Sequence, residues 1–419
     1  MQVTVRVERY ADQGRCVGHI DGQVIFVRFA LPGELVEVNV DLPIRSKRRF
    51  LTGEVTRVLE ASPERVDPAW PIAGPLAWGG GVGGADLVHV SLPGQLAWKQ
   101  AVVQEQMSRL GHVDTTVPVV RAAGDEERKG LYWRTRIDLI ADESGRPSMR
   151  RRESHERVAI EEMPLATREL NDMASQLGVW NGGIEPGTPI RLALPQHERI
   201  GQGDNFALIL GKKVKAGRRK LEEVVTVGGQ DFTYEVDASG FWQIHRQAPA
   251  LLANAVIEAV QSRLNTEKSP VIWDLYSGSG LFTLPLASLT GPNTRMASIE
   301  GSRIAVAQAR HNTQVAGVSG NVTALAGDVA KTLASGLPKE LSRPDAVVLD
   351  PPRAGAKAEV CRQIARSGAP IVAYVACDPA SLARDSATLT ELGYNLDYVQ
   401  AFDIYPMTHH VETLAVFTR

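Results

Sequence analysis

The N-terminal stretch alternates apolar and polar residues. Val3, Val5 and Val7 are separated by Thr4 and Arg6, and Val36, Val38 and Val40 by Glu37 and Asn39. Val24, Phe26 and Phe29 repeat the theme less strictly. A period of two puts one set of side chains on one face, so each stretch reads as a half-buried β-strand. Asp21-Gly22, Pro32-Gly33 and Pro43 punctuate them as turns. Five short strands at this spacing in residues 1–60 predict a small β-barrel of the OB type.

The pattern then changes twice. Residues 61–240 read as α+β: a Pro/Gly/Trp-rich loop over 68–84, then a helix through Trp98, Val102, Val103, Met107 and Leu110. Strand-like pieces follow around 132–137, 191–194 and 206–210. From Phe241 onward, short apolar strands (271–275, 297–300, 345–350, 371–375) alternate with helical segments such as 304–312. Fully apolar strands separated by helices predict a parallel, doubly wound α/β sheet of Rossmann-like type.

Composition adds limits. The 419 residues carry a net charge of −2, with 22% charged and 43% hydrophobic residues, which suits two or three domains with full cores. No apolar run approaches the roughly 20 residues of a membrane helix. The N-terminus lacks a basic-then-apolar leader, so a cytoplasmic protein is expected. Cys16, Cys361 and Cys377 are too few for a disulfide framework or a cysteine metal cage. The charge argues against a protein that coats nucleic acid, yet three basic clusters stand out. They are Arg45-Ser46-Lys47-Arg48-Arg49, Arg150-Arg151-Arg152, and Lys212-Lys213-Val214-Lys215 with Arg218-Arg219-Lys220. Each reads alone as a solvated turn; together they fit a nucleic-acid groove.

The chemistry-bearing residues sit in the last stretch. Asp274-Leu275-Tyr276-Ser277-Gly278-Ser279-Gly280 follows an apolar strand, where glycines let a backbone approach a ligand. Glu300 ends the next strand, at the place of a ribose-binding acid, and Gly327-Asp328 offers a second acid. Thr283 stands where a dinucleotide loop wants a small residue, so the set favours S-adenosylmethionine over a nicotinamide cofactor. Asp350-Pro351-Pro352-Arg353 leaves another strand, its prolines stiffening a loop beside a carboxylate. Cys377 lies in a strand-to-helix turn, where a helix N-terminus favours a thiolate, whereas Cys16 and Cys361 read as buried filler. His409-His410 reads as a structural pair whose rings face opposite ways along a strand. Glu412 enters an apolar strand, where burial raises a carboxyl's pKa and suits it to proton abstraction.

In this order the motifs resemble the RNA uridine-5-methyltransferase family, over nearly the whole chain: Phe241-Trp242-Gln243, the Tyr276 loop, Glu300, Asp350-Pro-Pro-Arg353, the Cys377-Asp378-Pro379 turn and His409-His410-Val411-Glu412. The resemblance implies a TRAM barrel at residues 1–60, an RNA-contacting middle domain at 61–240 and a methyltransferase domain at 241–419. It implies S-adenosylmethionine bound by Gln243, Tyr276, Glu300 and Asp350, to which the loop pattern adds Gly278, Gly280 and Asp328. Cys377 is the implied nucleophile and Glu412 the base, acting on a uridine of tRNA or rRNA that is flipped out or lies in a loop. Two departures stand out. Where many members place four cluster-binding cysteines, this chain has Trp70, Val82, Ala85 and Met163, so no iron–sulfur cluster and no metal are expected. Ala376 and Asp378 flank the cysteine where the family commonly has Ser and Asn. A monomer is expected. The competing readings are an RNA cytosine-C5 methyltransferase, which places a cysteine directly after Pro-Pro where Arg353 stands, and an RNA-binding or RNA-folding factor without catalysis.

Overall fold

The computed structural model describes residues 1–41, 49–196, 203–264, 269–291 and 293–419. Strands β1 (Gln2–Ala11), β2 (Arg15–Ile20), β3 (Gln23–Arg28), β4 (Leu35–Val40) and β5 (Phe50–Glu60) close a barrel in the order β1-β2-β3-β5-β4. The alternation drives it: Val5, Val7, Val36, Val38 and Val40 all point into the core. Gly18 lets β1 and β2 close, since a Cβ there would meet a methyl of Val5 at 2.4 Å. Phe29 departs from the expected strand. It follows β3 with φ 59° and turns inward, 1% exposed.

Helix α1 (Leu92–Gly111) buries Trp98, Val102, Val103 and Met107, as its spacing predicts. Ser91 caps its first turn by accepting from the Gly94 N–H. Trp98 Nε1 donates to the Ala11 carbonyl at 3.0 Å, tying α1 to the barrel. After β6 (Val119–Arg121) comes a six-stranded antiparallel sheet. It contains β7 (Arg136–Ala141), β8 (Pro147–Arg150), β9 (Arg157–Ala159), β10 (Pro189–Ala193), β11 (Ala207–Leu210) and β12 (Lys213–Gly217), with α2 (Arg168–Gln176) between β9 and β10. Residues 132–135 lie outside β7, and Tyr132 has φ 58°. Trp70, Val82, Ala85 and Met163 are buried in one apolar core shared with the barrel, so side chains without thiolates occupy these four positions.

A hairpin, β13 (Lys220–Val227) and β14 (Gln230–Asp237), leads to α3 (Ala248–Gln261) and the largest sheet. Its strands are β15 (Val271–Leu275), β16 (Arg295–Glu300), β17 (Val322–Ala326), β18 (Ala346–Leu349), β19 (Ile371–Ala376), β20 (Asn395–Asp403) and β21 (Glu412–Thr418). The connecting helices are α4 (Thr283–Leu289), α5 (Arg303–Val315), α6 (Val329–Ser335), α7 (Lys357–Ser367) and α8 (Pro379–Glu391). The sheet order is β17-β16-β15-β18-β19-β21-β20-β6, with apolar cores that gather alternate residues of its strands. The doubly wound part is parallel as expected, but the sheet as a whole is mixed. Strand β21 runs antiparallel to both β19 and β20, and β6 extends the sheet from the preceding stretch. Buried Lys99 of α1 donates to Asp403 and, at 2.9 Å, to the Tyr405 carbonyl, locking α1 onto this sheet. No helix among the described residues is long and apolar enough to cross a membrane.

The basic clusters separate. Arg45, Lys47 and Arg48 lie outside the described residues. Arg152 does not face an open groove: it donates to the carbonyls of Ala73, Gly74 and Val82 and lies 4.4 Å over the Phe29 ring. Arg151 pairs with Glu156, Arg219 with Asp237 and Lys220 with Glu235. Lys212, Lys213 and Lys215 are exposed on the β11–β12 hairpin and make no ion pair among the described residues.

Candidate active site

A cavity of about 1310 Å³ opens where the parallel strands end, the usual ligand position in such sheets. Gln243, Tyr276, Gly278, Glu300, Asp328, Asp350, Cys377 and Glu412 all line it. Gly280 does not. Its hypothetical Cβ would face Leu284 at 3.3 Å, so it shapes the turn behind the wall. Gly278, at φ 54°, has nothing within 4 Å of where a Cβ would stand. The Glu300 carboxylate braces this loop, accepting from the Gly278 N–H at 3.1 Å and the Ser302 N–H at 2.6 Å. Asp328 caps α6 through the Lys331 N–H at 3.0 Å. Phe241 is 76% exposed at the cavity edge while Trp242 and Gln243 beside it are buried.

Under the loop lies Asp274, fully buried, holding Thr283 by one carboxylate oxygen and leaving the other without a partner. Burial, with Glu300 adding to it, pushes its pKa up to about 7. Burial and the nearness of Asp274 likewise raise Asp350. Burial and Asp350 push Glu412 well above the usual carboxylate range, as expected from its strand. Tyr405 donates to Glu412 Oε2 at 3.4 Å and opposes that shift.

Cys377 corrects one expectation. Its thiol is pushed up to about 12, first by burial and then by Glu412 and Asp350, with Arg353 pulling the other way. Asp378, the departure beside the cysteine, is the N-cap of α8 and accepts from the Ser381 N–H at 2.7 Å. The histidine pair lies in a turn rather than a strand, with rings 4.1 Å apart instead of on opposite faces. His409 is held by Asp86 at 2.7 Å, and His410 by Arg353. No group of three metal-ligating side chains occurs among the described residues.

Of the cavity residues that sequence reasoning did not single out, Arg134 and Tyr405 bear most on the chemistry. Arg134, beside Trp133, has its Nε buried with no partner, and burial lowers its pKa. A cation within an apolar run was the available signal, obscured by reading 132–137 as one strand. Tyr405 gave no signal at all.

Residues 206–419 match the tRNA (uracil-5-)-methyltransferase family profile, and residues 2–56 match the TRAM domain. An uncharacterized RNA methyltransferase of Bifidobacterium longum is 60% identical, covering 100% of this chain and 97% of that one. A 23S rRNA (uracil(1939)-C(5))-methyltransferase of Shewanella amazonensis is 28% identical across 99% of this chain and 95% of its own. The crystal structure of Pyrococcus abyssi tRNA (uracil-54, C5)-methyltransferase in complex with S-adenosyl-L-homocysteine shares the fold. Its TM-score is 0.70, at 20% identity over 99% of both chains. The chain therefore belongs to the tRNA (uracil-5-)-methyltransferase family, S-adenosylmethionine-dependent enzymes that methylate uracil C5 in RNA, and carries a TRAM domain at its N-terminus.

Proposed function

We propose that this protein methylates C5 of one specific uridine in tRNA or rRNA through a transient bond between Cys377 Sγ and C6 of the base. The observation that carries this is the meeting of Cys377 and Glu412, from the ends of adjacent antiparallel strands, in the cavity lined by the candidate cofactor residues. C5 of uracil is too weak a nucleophile to take a methyl group unaided. Cys377 first gives its thiol proton to solvent; as the thiolate Sγ then adds to C6, the C5=C6 electrons move through C5 toward O4 and C5 becomes nucleophilic. Arg134, a buried cation with no carboxylate partner among the described residues, suits the charge that grows on that oxygen. When bound, S-adenosylmethionine supplies the methyl group to C5 from its sulfonium. Glu412 then takes the C5 proton, the double bond re-forms and Sγ leaves. A carboxylate whose pKa burial has raised is the stronger base once ionised.

The cavity fits that cofactor. Gly278 leaves room for close backbone approach, and Glu300, braced at the end of β16 and lining the cavity, can accept hydrogen bonds from ribose hydroxyls. Gln243, Tyr276, Asp328 and Asp350 complete the wall. In this reading residues 1–60 and 61–240 hold the RNA and 241–419 carry out the transfer, with a monomer acting on a uridine flipped out or lying in a loop. Three cysteines, none in a disulfide, fit a reduced cytoplasm.

Incubation with methyl-labelled S-adenosylmethionine and RNA from cells lacking the gene, followed by digestion to nucleosides, should yield 5-methyluridine. Label in 5-methylcytidine, or in no nucleoside, would refute the reading.

A further inference from the structure

We propose that a second cavity, meeting the first at Cys377, holds a nucleotide that neighbours the target uridine in the same RNA strand. The inference rests on the uridine-methylation reading and extends it to sequence choice. The second cavity encloses about 340 Å³ and shares Arg353, Cys377 and His410 with the main one. That volume lies at the low end of ligand pockets, which run from about 300 to 1,000 Å³, and suits one nucleotide better than a longer segment. With a uridine seated so that C6 meets Sγ, a strand leaving the main cavity past these three shared residues would bring the adjoining nucleotide into this space.

The barrel supplies one side of it. Asp12, Gln13 and Arg28 come from β3 and the β1–β2 turn, and face Asp378 and His409 of the methyltransferase part. The turn is fixed in advance. Trp98 holds the Ala11 carbonyl, and the Gln13 N–H donates to Asp12 Oδ1 at 2.7 Å. A Cβ on Gly14 would lie 2.8 Å from Asp86 and 3.6 Å from His409, so the turn is seated directly on the histidine loop. A wall built this tightly does not rearrange for each sequence, which is what a specificity site requires.

The lining says what it takes. Arg28 and Arg353 stand against Asp12 and Asp378, so the cavity is not tuned to a free anion or a metal ion. The Gln13 amide and His409 Nε2 make no hydrogen bond among the described residues, while His409 Nδ1 is engaged by Asp86. Donors and acceptors side by side match the edge of an unstacked nucleobase, the feature by which single-stranded RNA is read. Arg28, held by Glu153, stands at the cavity wall where the adjoining phosphate would pass.

The test is a cycle between protein and RNA. The uridine methylated by the wild-type protein is mapped, and a short RNA carrying it is made with either flanking nucleotide replaced by an abasic one. Wild type should lose about tenfold in kcat/KM at one flank, mostly through KM, the size of a lost base contact. Gln13→Ala and Asp12→Asn should show a similar loss on the intact RNA and less than about twofold more on the abasic one. S-adenosylhomocysteine binding by both variants, measured on the same samples, checks their fold. No penalty at either flank, or an equal penalty in wild type and variants, overturns the subsite alone. A wild-type protein that forms no 5-methyluridine overturns the reading beneath it as well.

Discussion

Ala376 and Thr413 are paired across antiparallel β19 and β21, and Thr413 Oγ1 donates to the Ala376 carbonyl at 2.8 Å. One step further along this register, Cys377 and Glu412 come opposite each other as β19 ends and β21 begins. The antiparallel insertion of β21 is thus what brings the proposed nucleophile and base together. A wholly parallel sheet would have placed the start of that last strand at the opposite edge from Cys377.

The thiol should be slow to react in the free protein. With its pKa pushed up to about 12, little thiolate exists at pH 7, and only the thiolate is alkylated. Iodoacetamide labelling of Cys377, followed by peptide mass spectrometry, should rise about tenfold per pH unit between pH 7 and 10. Rates near those of a free cysteine at pH 7 would show an activated resting thiolate instead.

Gly278→Val should empty the cofactor site with little harm to the fold. The side chain would project into open cavity space from a backbone at φ 54°, at a conformational cost of about 1–2 kcal/mol. Calorimetry with S-adenosylhomocysteine should show affinity reduced by about tenfold or more, while thermal melting falls by only a few degrees. Unchanged affinity would remove the loop from cofactor binding.

Asp274 should make the ligand-free protein less stable as pH rises. Folded, it keeps its proton to about pH 7, whereas an unfolded aspartate loses it near pH 4, so folding takes up a proton between these values. Its contribution is therefore whole below about pH 4 and lost as pH climbs through about 7. Denaturant titrations at pH 5 and pH 7.5 should show wild type losing more stability than Asp274→Asn, by on the order of a few kcal/mol. Parallel losses in the two proteins would refute the shift.

Arg152 and the exposed lysines should separate cleanly. Arg152→Ala removes donors from three backbone carbonyls and the cation over Phe29, so about 2–4 kcal/mol of stability should go. A combined Lys213→Ala and Lys215→Ala variant should keep its melting temperature yet bind RNA more weakly, with a shallower salt dependence. Lost RNA affinity in a fully stable Arg152→Ala protein would reverse these roles.

These residues also mark what the sequence could convey. Period-two valines announced the barrel because alternation is itself the geometry of a strand, and the glycine loop and strand-end acids announced the cavity because position after a strand implies location. Direction is not encoded in an apolar run, so the antiparallel course of β21 was invisible. Val119–Arg121 is too short to carry a period and joins the sheet only through partners near position 402. A basic triplet shows charge but not its neighbours, which is why Arg152 looked available for RNA while backbone carbonyls already surround it. Arg134 and Tyr405 matter through burial beside the cavity, a property of the assembled fold.

The decisive measurement concerns the bond between Cys377 and RNA. Glu412→Gln, incubated with S-adenosylmethionine and substrate RNA, should stall after methylation and before elimination, leaving a denaturation-resistant complex. Nuclease and protease digestion with mass spectrometry should then find a methylated uridine joined to the peptide containing Cys377, and Cys377→Ala in the same background should abolish it. A Glu412→Gln protein that turns over at the wild-type rate without an adduct, or an adduct on any other residue, would show that these two side chains do not divide the chemistry between them.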